Sequence, residues 1–126
     1  MKRRFGVSIP EELLGRVDSL SRELMVSRSS LIEELIRDGI EEKSHLLKPH
    51  KCRGVLIVVS KGSESTVRVL EKYGSCIVSR NHQHSEGCCV DISFVEAQSS
   101  EILNLRKELR KIKGVSERYI PLACLS

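Results

Sequence analysis

Residues 4–9 alternate strictly between apolar and other side chains, and Pro10 ends the alternation. Phe5, Val7 and Ile9 therefore share one face of a predicted β-strand. A lone strand cannot satisfy its own backbone N–H and C=O groups, and no second strand lies near it in the sequence. Two chains that pair these strands antiparallel would solve the problem, so the sequence predicts a homodimer joined through its first ten residues.

Two amphipathic helices are predicted to follow this strand. Pro10 suits the first turn of a helix, and that helix carries an apolar stripe of Leu13, Val17, Leu20 and Leu24. Ser27 is a good N-cap for a second helix, whose apolar face holds Leu31, Ile32, Leu35, Ile36 and Ile40. We therefore interpret residues 1–43 as a small domain that needs a second chain to close its core.

The pattern changes at residues 44–52, which break the helical period at Pro49 and are interpreted as a linker. From residue 53 to 126 the predicted order is β-α-β-β-α-β. The strands are expected at 54–60, 75–80, 88–95 and 115–124, with helices capped by Ser63 and by Ser99 or Ser100 and a polar loop at 81–87. This order is that of a ferredoxin-like (ACT-type) unit, so the sequence predicts an α+β protein with two domains.

Composition excludes several classes of protein. No apolar run approaches the roughly 18–20 residues that cross a bilayer, and no signal-type stretch follows the basic N-terminus. Five cysteines, an odd number, argue against a disulfide framework and favour free or metal-bound thiols. We therefore expect a cytoplasmic protein with no membrane partner. The net charge of +4 is too small to identify a partner by itself.

The outward face of the predicted strand indicates binding to double-stranded DNA. Its row consists of Lys2, Arg4, Gly6 and Ser8 on each chain, and a two-stranded ribbon fits the major groove of B-DNA. Arginine can form two hydrogen bonds to guanine, serine can donate or accept one, and glycine lets the backbone approach closely. A solvated face with ordinary positive charge would show the same pattern, so the row needs support from elsewhere in the domain.

That support comes from the start of the second helix. A helix N-terminus presents unpaired N–H groups and a partial positive charge, which together attract phosphate. Arg28 and the Ser29 hydroxyl stand at this position, and we expect them to anchor the DNA backbone.

A candidate metal site follows the third predicted strand. His82 and His84, two residues apart on an extended segment, face the same side, and Cys88 and Cys89 come shortly after them. Because adjacent strand residues face opposite sides, only one of the two thiols is expected to join the histidines. Imidazole with thiolate favours nickel, copper, zinc or cobalt over magnesium or calcium. A polar hairpin loop with an incidental thiol is the alternative.

The sequence resembles the ribbon-helix-helix repressors, and in particular the nickel-responsive regulator family. The resemblance rests on Arg4–Ile9, Leu13-Leu14, Val17–Leu20 and Ser27–Ser29, and on the His-x-His pair with its later cysteine. It implies that Arg4, Gly6 and Ser8 read bases, that Arg28 and Ser29 hold phosphates, and that a nickel ion is bound by His82, His84 and Cys89. Family members usually carry Thr at the position of Gly6, and Glu33 replaces a residue that is often basic.

The resemblance also implies a histidine ligand from a neighbouring subunit, and this chain has none at the expected segment. Cys76 is the candidate replacement, followed by His50 or Cys52 if the linker reaches the site. The spacing from His84 to Cys89 is one residue shorter than in the family, so Cys88 stays open as an alternative ligand. We otherwise expect His45 and His50 to be solvated linker residues and Cys124 to pack in the last strand.

The predicted assembly is a homotetramer, in which the C-terminal domains hold two DNA-binding dimers. Metal would raise operator affinity by favouring the DNA-competent arrangement, which predicts a metal-responsive transcriptional regulator or repressor and not an enzyme. Three alternatives are weighed against it: a domain that senses another transition metal or a small molecule such as an amino acid, a thiol enzyme using Cys88 and Cys89, and an antitoxin with the same head.

Overall fold

The computed structural model describes residues 1–62 and 64–122 of the chain. They divide into two compact units, Met1–Lys43 and Ser44–Ser126. The first contains helices α1 (Glu11–Leu24) and α2 (Arg28–Ser44). The last residue of α2, Ser44, is the first residue of the second unit. The second contains β1 (Lys51–Ser60), α3 (Glu64–Lys72), β2 (Ile77–Ser85), β3 (Cys88–Gln98), α4 (Ser99–Arg110) and β4 (Ser116–Pro121).

Local sequence explains where the two helices of the first unit begin and end. Pro10 precedes α1, and its carbonyl accepts the first helical bond from the N–H of Leu14. Met25 ends α1 in the left-handed conformation, at φ 56°. The Ser27 side chain accepts a hydrogen bond from the N–H of Ser30 at 3.1 Å, so Ser27 caps α2 as the sequence predicts.

The first unit has little closed core within one chain. Residues 1–10 have no regular secondary structure, and Phe5 and Val7 are 74% and 72% exposed. The predicted strand at 4–9 is therefore absent from the single chain, because a strand needs a partner for its ladder of hydrogen bonds. A groove between residues 1–7 and α2 is lined by Ile32, Ile36 and Ile40, and α2 has only one buried residue, Leu31.

The second unit is a four-stranded antiparallel sheet in the order β2-β3-β1-β4. This order, with one helix between β1 and β2 and another between β3 and β4, is that of the ferredoxin-like fold and confirms the predicted α+β class. The helices cover the sheet face that carries the even-numbered residues of β1 and the odd-numbered residues of β3. The core consists chiefly of Leu56, Val58, Leu70, Val95, Ile102, Leu105 and Leu109.

The other face of the sheet has an apolar surface. Its large side chains include Val78, Ile92, Phe94 and Ile120, each between 42% and 67% exposed. An apolar patch of this kind commonly marks an interaction surface. None of the helices in residues 1–62 and 64–122 combines the length and the hydropathy that a bilayer crossing requires.

The predicted linker at 44–52 is wrong. Residues His45–Leu47 form a short 3-10 helix whose Leu46 is 3% exposed, and β1 already begins at Lys51. The Ser99 hydroxyl donates to the Lys48 carbonyl at 2.8 Å, so the segment is held by α4. A break in helical periodicity shows where a helix ends, but it does not show that the following residues leave the domain.

The predicted polar loop at 81–87 is also wrong for most of its length. Strand β2 continues to Ser85, and only Glu86 and Gly87 form the turn, both with positive φ (49° and 80°). Two such residues match the tight hairpin turn that keeps antiparallel strands paired. The proposed cap Ser63 and the packing residue Cys124 lie outside the described residues, as does the end of the predicted last strand.

Candidate functional site

The β2–β3 hairpin brings the three predicted metal ligands together. His84 pairs with Cys89, and His82 pairs with Asp91, across the two strands. Because residues that face each other in antiparallel strands project on the same side, both imidazoles share the side of the Cys89 thiol. One donor atom from each of His82, His84 and Cys89 lies within 4.8 Å of the other two.

The spacing of these donors suits a shared metal ion. The Cys89 Sγ and His84 Nδ1 atoms are 3.3 Å apart, and the two imidazole centroids are 4.8 Å apart. With zinc–nitrogen bonds of about 2.0 Å and a zinc–sulfur bond of about 2.3 Å, two ligands of a tetrahedral ion stand about 3.5 Å apart. Two imidazoles and one thiol are also the donors that nickel, copper, cobalt and zinc prefer. The residues present therefore fit such an ion.

Asp91 supports the site through hydrogen bonds, and it is not among the site residues predicted from the sequence. Its carboxylate is 2% exposed, and it accepts hydrogen bonds from Arg80 Nε at 2.8 Å and from His82 Nδ1 at 2.9 Å. A proton fixed on Nδ1 leaves the lone pair of His82 Nε2 available to a metal, the arrangement found at many histidine ligands. The signal was in the sequence, because a residue two positions after Cys89 on a strand faces the same side.

The other thiols do not join this cluster. Cys88 pairs with Ser85 and precedes Cys89 by one residue on β3, so it faces the opposite side of the hairpin. Cys76, considered as a ligand for a neighbouring subunit, is 2% exposed and its thiol donates to Glu101 at 3.3 Å. Burial raises the pKa of the Cys76 thiol, which disfavours the thiolate that a metal needs. Cys76 is therefore not presented to a neighbour.

His50 and Cys52 cannot complete the site within the same chain. Cys52 pairs with Ala97, whereas the pair beside the metal ligands is Ser60 and Cys89. At about 3.4 Å per residue, positions 52 and 60 of β1 are about 27 Å apart. His45 and His50 are nevertheless not solvated as expected: each is half-buried, and they form a second cluster with Cys52 at the opposite end of β1.

In the first unit, the residues of the predicted base-reading row are all exposed. They are Lys2, Arg4, Gly6 and Ser8. Lys2 Nζ lies 3.9 Å from Glu33 Oε2, so an acidic side chain stands close to the basic start of the chain. The Cβ that any other residue would add at Gly6 has no atom within 4 Å in the single chain, so nothing within the chain itself requires glycine there.

Arg28 forms an ion pair that was not predicted from the sequence. Its Nε and Nη2 atoms donate to the two carboxylate oxygens of Asp18, at 2.7 and 3.0 Å. This bidentate pair raises the pKa of Arg28 and lowers that of Asp18. The guanidinium has five N–H donors and these bonds use two of them, so the pair orients Arg28 at the start of α2. Ser29 lies beside it and is exposed.

The first unit matches a known domain family, and most of the chain matches named proteins. The profile of the ribbon-helix-helix domain family matches residues 1–42. A Pyrococcus furiosus protein named "Putative nickel-responsive regulator" is 34% identical over 119 residues, which cover 89% of this chain and 86% of that protein. A protein of Dictyoglomus turgidum with the same name is 32% identical over 126 residues, which cover 94% of this chain and 93% of that protein.

A solved structure resembles part of this chain in fold. An uncharacterized protein of Thermotoga maritima aligns with a TM-score of 0.54 at 21% identity, and the match covers 59% of this chain and all of that protein. At this level of identity the likeness concerns the fold only.

Proposed function

Since the chain belongs to the nickel-responsive regulator family, we propose that it is a transcriptional regulator whose affinity for its operator depends on nickel bound in the β2–β3 hairpin. Members of this family are metal-responsive DNA-binding regulators and not enzymes. The observation that carries the proposal is the convergence of His82, His84 and Cys89 within 4.8 Å on a strand pair. The names of the relatives favour nickel among the metals that suit these donors.

The chain's own residues prepare the site for the metal. Asp91 holds His82 so that one ring nitrogen points away from the carboxylate, and Arg80 neutralises the buried charge of Asp91. Cys89 is 8% exposed, which protects its thiol from solvent. When bound, the metal would supply a further cross-link between the two strands, in addition to their backbone bonds and the contacts of Asp91 with Arg80 and His82. Zinc, copper and cobalt use the same donors and are the alternatives that the experiment below separates.

DNA binding is assigned to the first unit, as a dimer. The ribbon-helix-helix family implies both dimerisation and DNA binding, and the exposed Phe5 and Val7 are the side chains that pairing of two ribbons would cover. Lys2, Arg4, Gly6 and Ser8 would then line the ribbon that enters the major groove. Arg28 and Ser29 would contact phosphates at the start of α2.

We propose that the two units are separate domains, a DNA-binding domain of residues 1–43 and a sensing domain that begins at Ser44. The sensing domains would associate into a tetramer through the apolar sheet face that includes Ile92 and Phe94, since contiguous apolar surface favours association. We propose that a neighbouring chain also reaches the opposite face, where His82 and His84 are exposed, and that it completes the metal site there and couples nickel binding to the arrangement of the two dimers. We propose that the protein acts in the cytoplasm, where a regulator of this family would meet its operator DNA.

The experiment uses full-length protein and a duplex selected from a random library in the presence of nickel. Operator affinity is measured at one salt concentration with nickel, zinc, copper or cobalt, and with a chelator. We expect nickel to raise affinity by at least tenfold in the natural protein and in Cys88→Ser, and to have no effect in His82→Ala. If every metal left operator affinity unchanged, the metal-sensing function would be refuted. An amino acid or another small molecule that raised operator affinity would then identify the alternative effector.

A further inference from the structure

A second group of metal-binding side chains lies at the end of the sheet far from the hairpin turn. His45 is in the 3-10 helix after α2, His50 precedes β1, and Cys52 is the second residue of β1. One donor atom from each lies within 4.8 Å of the other two. The 27 Å along β1 separates this group from the proposed nickel site, so one ion cannot serve both within a chain.

The distances within this group are those of ligands around a tetrahedral ion. His45 Nε2 lies 3.4 Å from Cys52 Sγ and 3.3 Å from His50 Nε2. Metal–ligand bonds of about 2.05 Å to nitrogen and 2.3 Å to sulfur place two nitrogens about 3.3 Å apart, and a nitrogen and a sulfur about 3.6 Å apart. Both separations in the structure match these values within about 0.2 Å.

The structure also orients the donors. His50 Nδ1 lies 2.6 Å from the Lys48 carbonyl, which can only accept, so Nδ1 carries the proton and Nε2 offers its lone pair. Ser99 at the start of α4 fixes the same segment: its hydroxyl donates to the Lys48 carbonyl and accepts from the N–H of His50, and its own N–H donates to the His50 carbonyl. These contacts hold His50 in place before any metal arrives.

Cys52 completes the group from the interior. The residue is 3% exposed, and its Sγ lies 3.0 Å from the hydroxyl of Tyr119, a donor that can stabilise a thiolate. His45 and His50 are half-buried, so an ion could enter from their side. A buried sulfur, two half-buried imidazoles and a fixed tautomer are the features of a metal site and not of a solvated chain segment.

We propose that His45, His50 and Cys52 form a second metal site, which binds zinc or a similar thiophilic divalent cation with a fourth position left for water. The bound ion would tie the 3-10 helix to β1 immediately after α2 ends at Ser44. It would therefore hold the first residues of the second unit against its sheet. The role is structural, and it is separate from sensing at the hairpin.

Cobalt binding to full-length, metal-stripped protein tests this site, because a cobalt–thiolate bond gives its own charge-transfer absorption. We expect the double variant His82→Ala/His84→Ala to bind about one cobalt ion per chain with this absorption. Adding His50→Ala to that variant should weaken cobalt binding at least tenfold, on the order of the loss expected at a metal site whose ligand shell is disturbed. Cys88→Ser in the same background is the matched control and should leave binding unchanged.

The thermal midpoint in chelator shows whether each variant is folded. If His50→Ala lowers that midpoint, His45→Gln replaces it in the same titration. The proposal is overturned if His82→Ala/His84→Ala binds no cobalt through a thiolate, or if the His50 and His45 substitutions leave its cobalt affinity unchanged. Because the hairpin ligands are already removed, neither result depends on whether nickel controls operator binding.

Discussion

Substitution of Asp91 by Asn tests how the hairpin prepares its metal ligands. The carboxylate is 2% exposed and joins Arg80 at 2.8 Å to His82 at 2.9 Å. Asparagine keeps the shape but removes the charge, and its amide can turn an N–H toward His82 and favour the wrong tautomer. Loss of such a supporting group typically lowers metal affinity by about 10–100-fold, which is about 1.4–2.7 kcal/mol at 25 °C.

Stability should fall as well. Removing one partner of a fully buried ion pair costs about 3–5 kcal/mol. Arg80 is 28% exposed, so water can replace part of the lost contact, and we expect a loss of about 1–3 kcal/mol. The two effects are separable, because nickel affinity is measured on folded protein and the free energy of unfolding is measured in chelator.

The assay is a competition titration of nickel between the protein and a chromophoric chelator, followed by urea unfolding of the metal-free protein. Glu96→Gln is the matched control: Glu96 lies on the same strand, and its ion pair with Lys51 is largely exposed, with the two side chains 39% and 68% accessible. We expect that variant to change neither quantity measurably. A nickel affinity for Asp91→Asn within twofold of the natural protein would refute the role given to Asp91.

Three further predictions concern the ribbon and the sheet. Arg4→Ala should cost about 1–3 kcal/mol of operator affinity with little change in binding to unrelated duplex, and equal losses on both duplexes in a filter-binding assay would contradict base reading. Val7→Asp should abolish operator binding, because the charge would be buried in the face through which two ribbons pair; an unchanged operator affinity in the same filter-binding assay would refute ribbon pairing. Gly54→Ala should destabilise the protein by about 1–3 kcal/mol, because the added Cβ would overlap the ring of Tyr119. Gly74→Ala is the control, because its added Cβ has no atom within 4 Å. Equal urea midpoints for the two variants would contradict the overlap with Tyr119.

The order of elements in the second unit could be predicted because its strands and helices carry clear apolar periods. Within the apolar run 55–59, Leu56 and Val58 are buried and the residues between and beside them are half-buried. The stripe of Ile102, Leu105 and Leu109 is buried, as its spacing indicates. The end of β2 could not be predicted in the same way. Its residues from Arg80 to Ser85 are polar and exposed, and only the pairing with β3 makes them a strand.

Contacts between residues that are distant in sequence explain why parts of the sites could not be predicted. Nothing near His45 and His50 in sequence shows that Ser99 holds their segment against α4. The bidentate bond between Arg28 and Asp18 likewise depends on the turn between α1 and α2. Asp91 could have been predicted from the sequence. It lies two residues after Cys89 on the same strand, so both side chains face the same side, and a carboxylate in that place commonly supports a histidine ligand.

The most direct test of nickel control is the nickel affinity of the protein with and without saturating operator DNA. Coupling between two binding sites is reciprocal, so DNA must raise nickel affinity by the same factor by which nickel raises DNA affinity. We predict an increase of at least tenfold with the selected duplex, and no such increase in nickel affinity with unrelated DNA at the same salt concentration. An identical nickel affinity in the free and DNA-bound protein would contradict the claim that the hairpin site controls the DNA-binding unit.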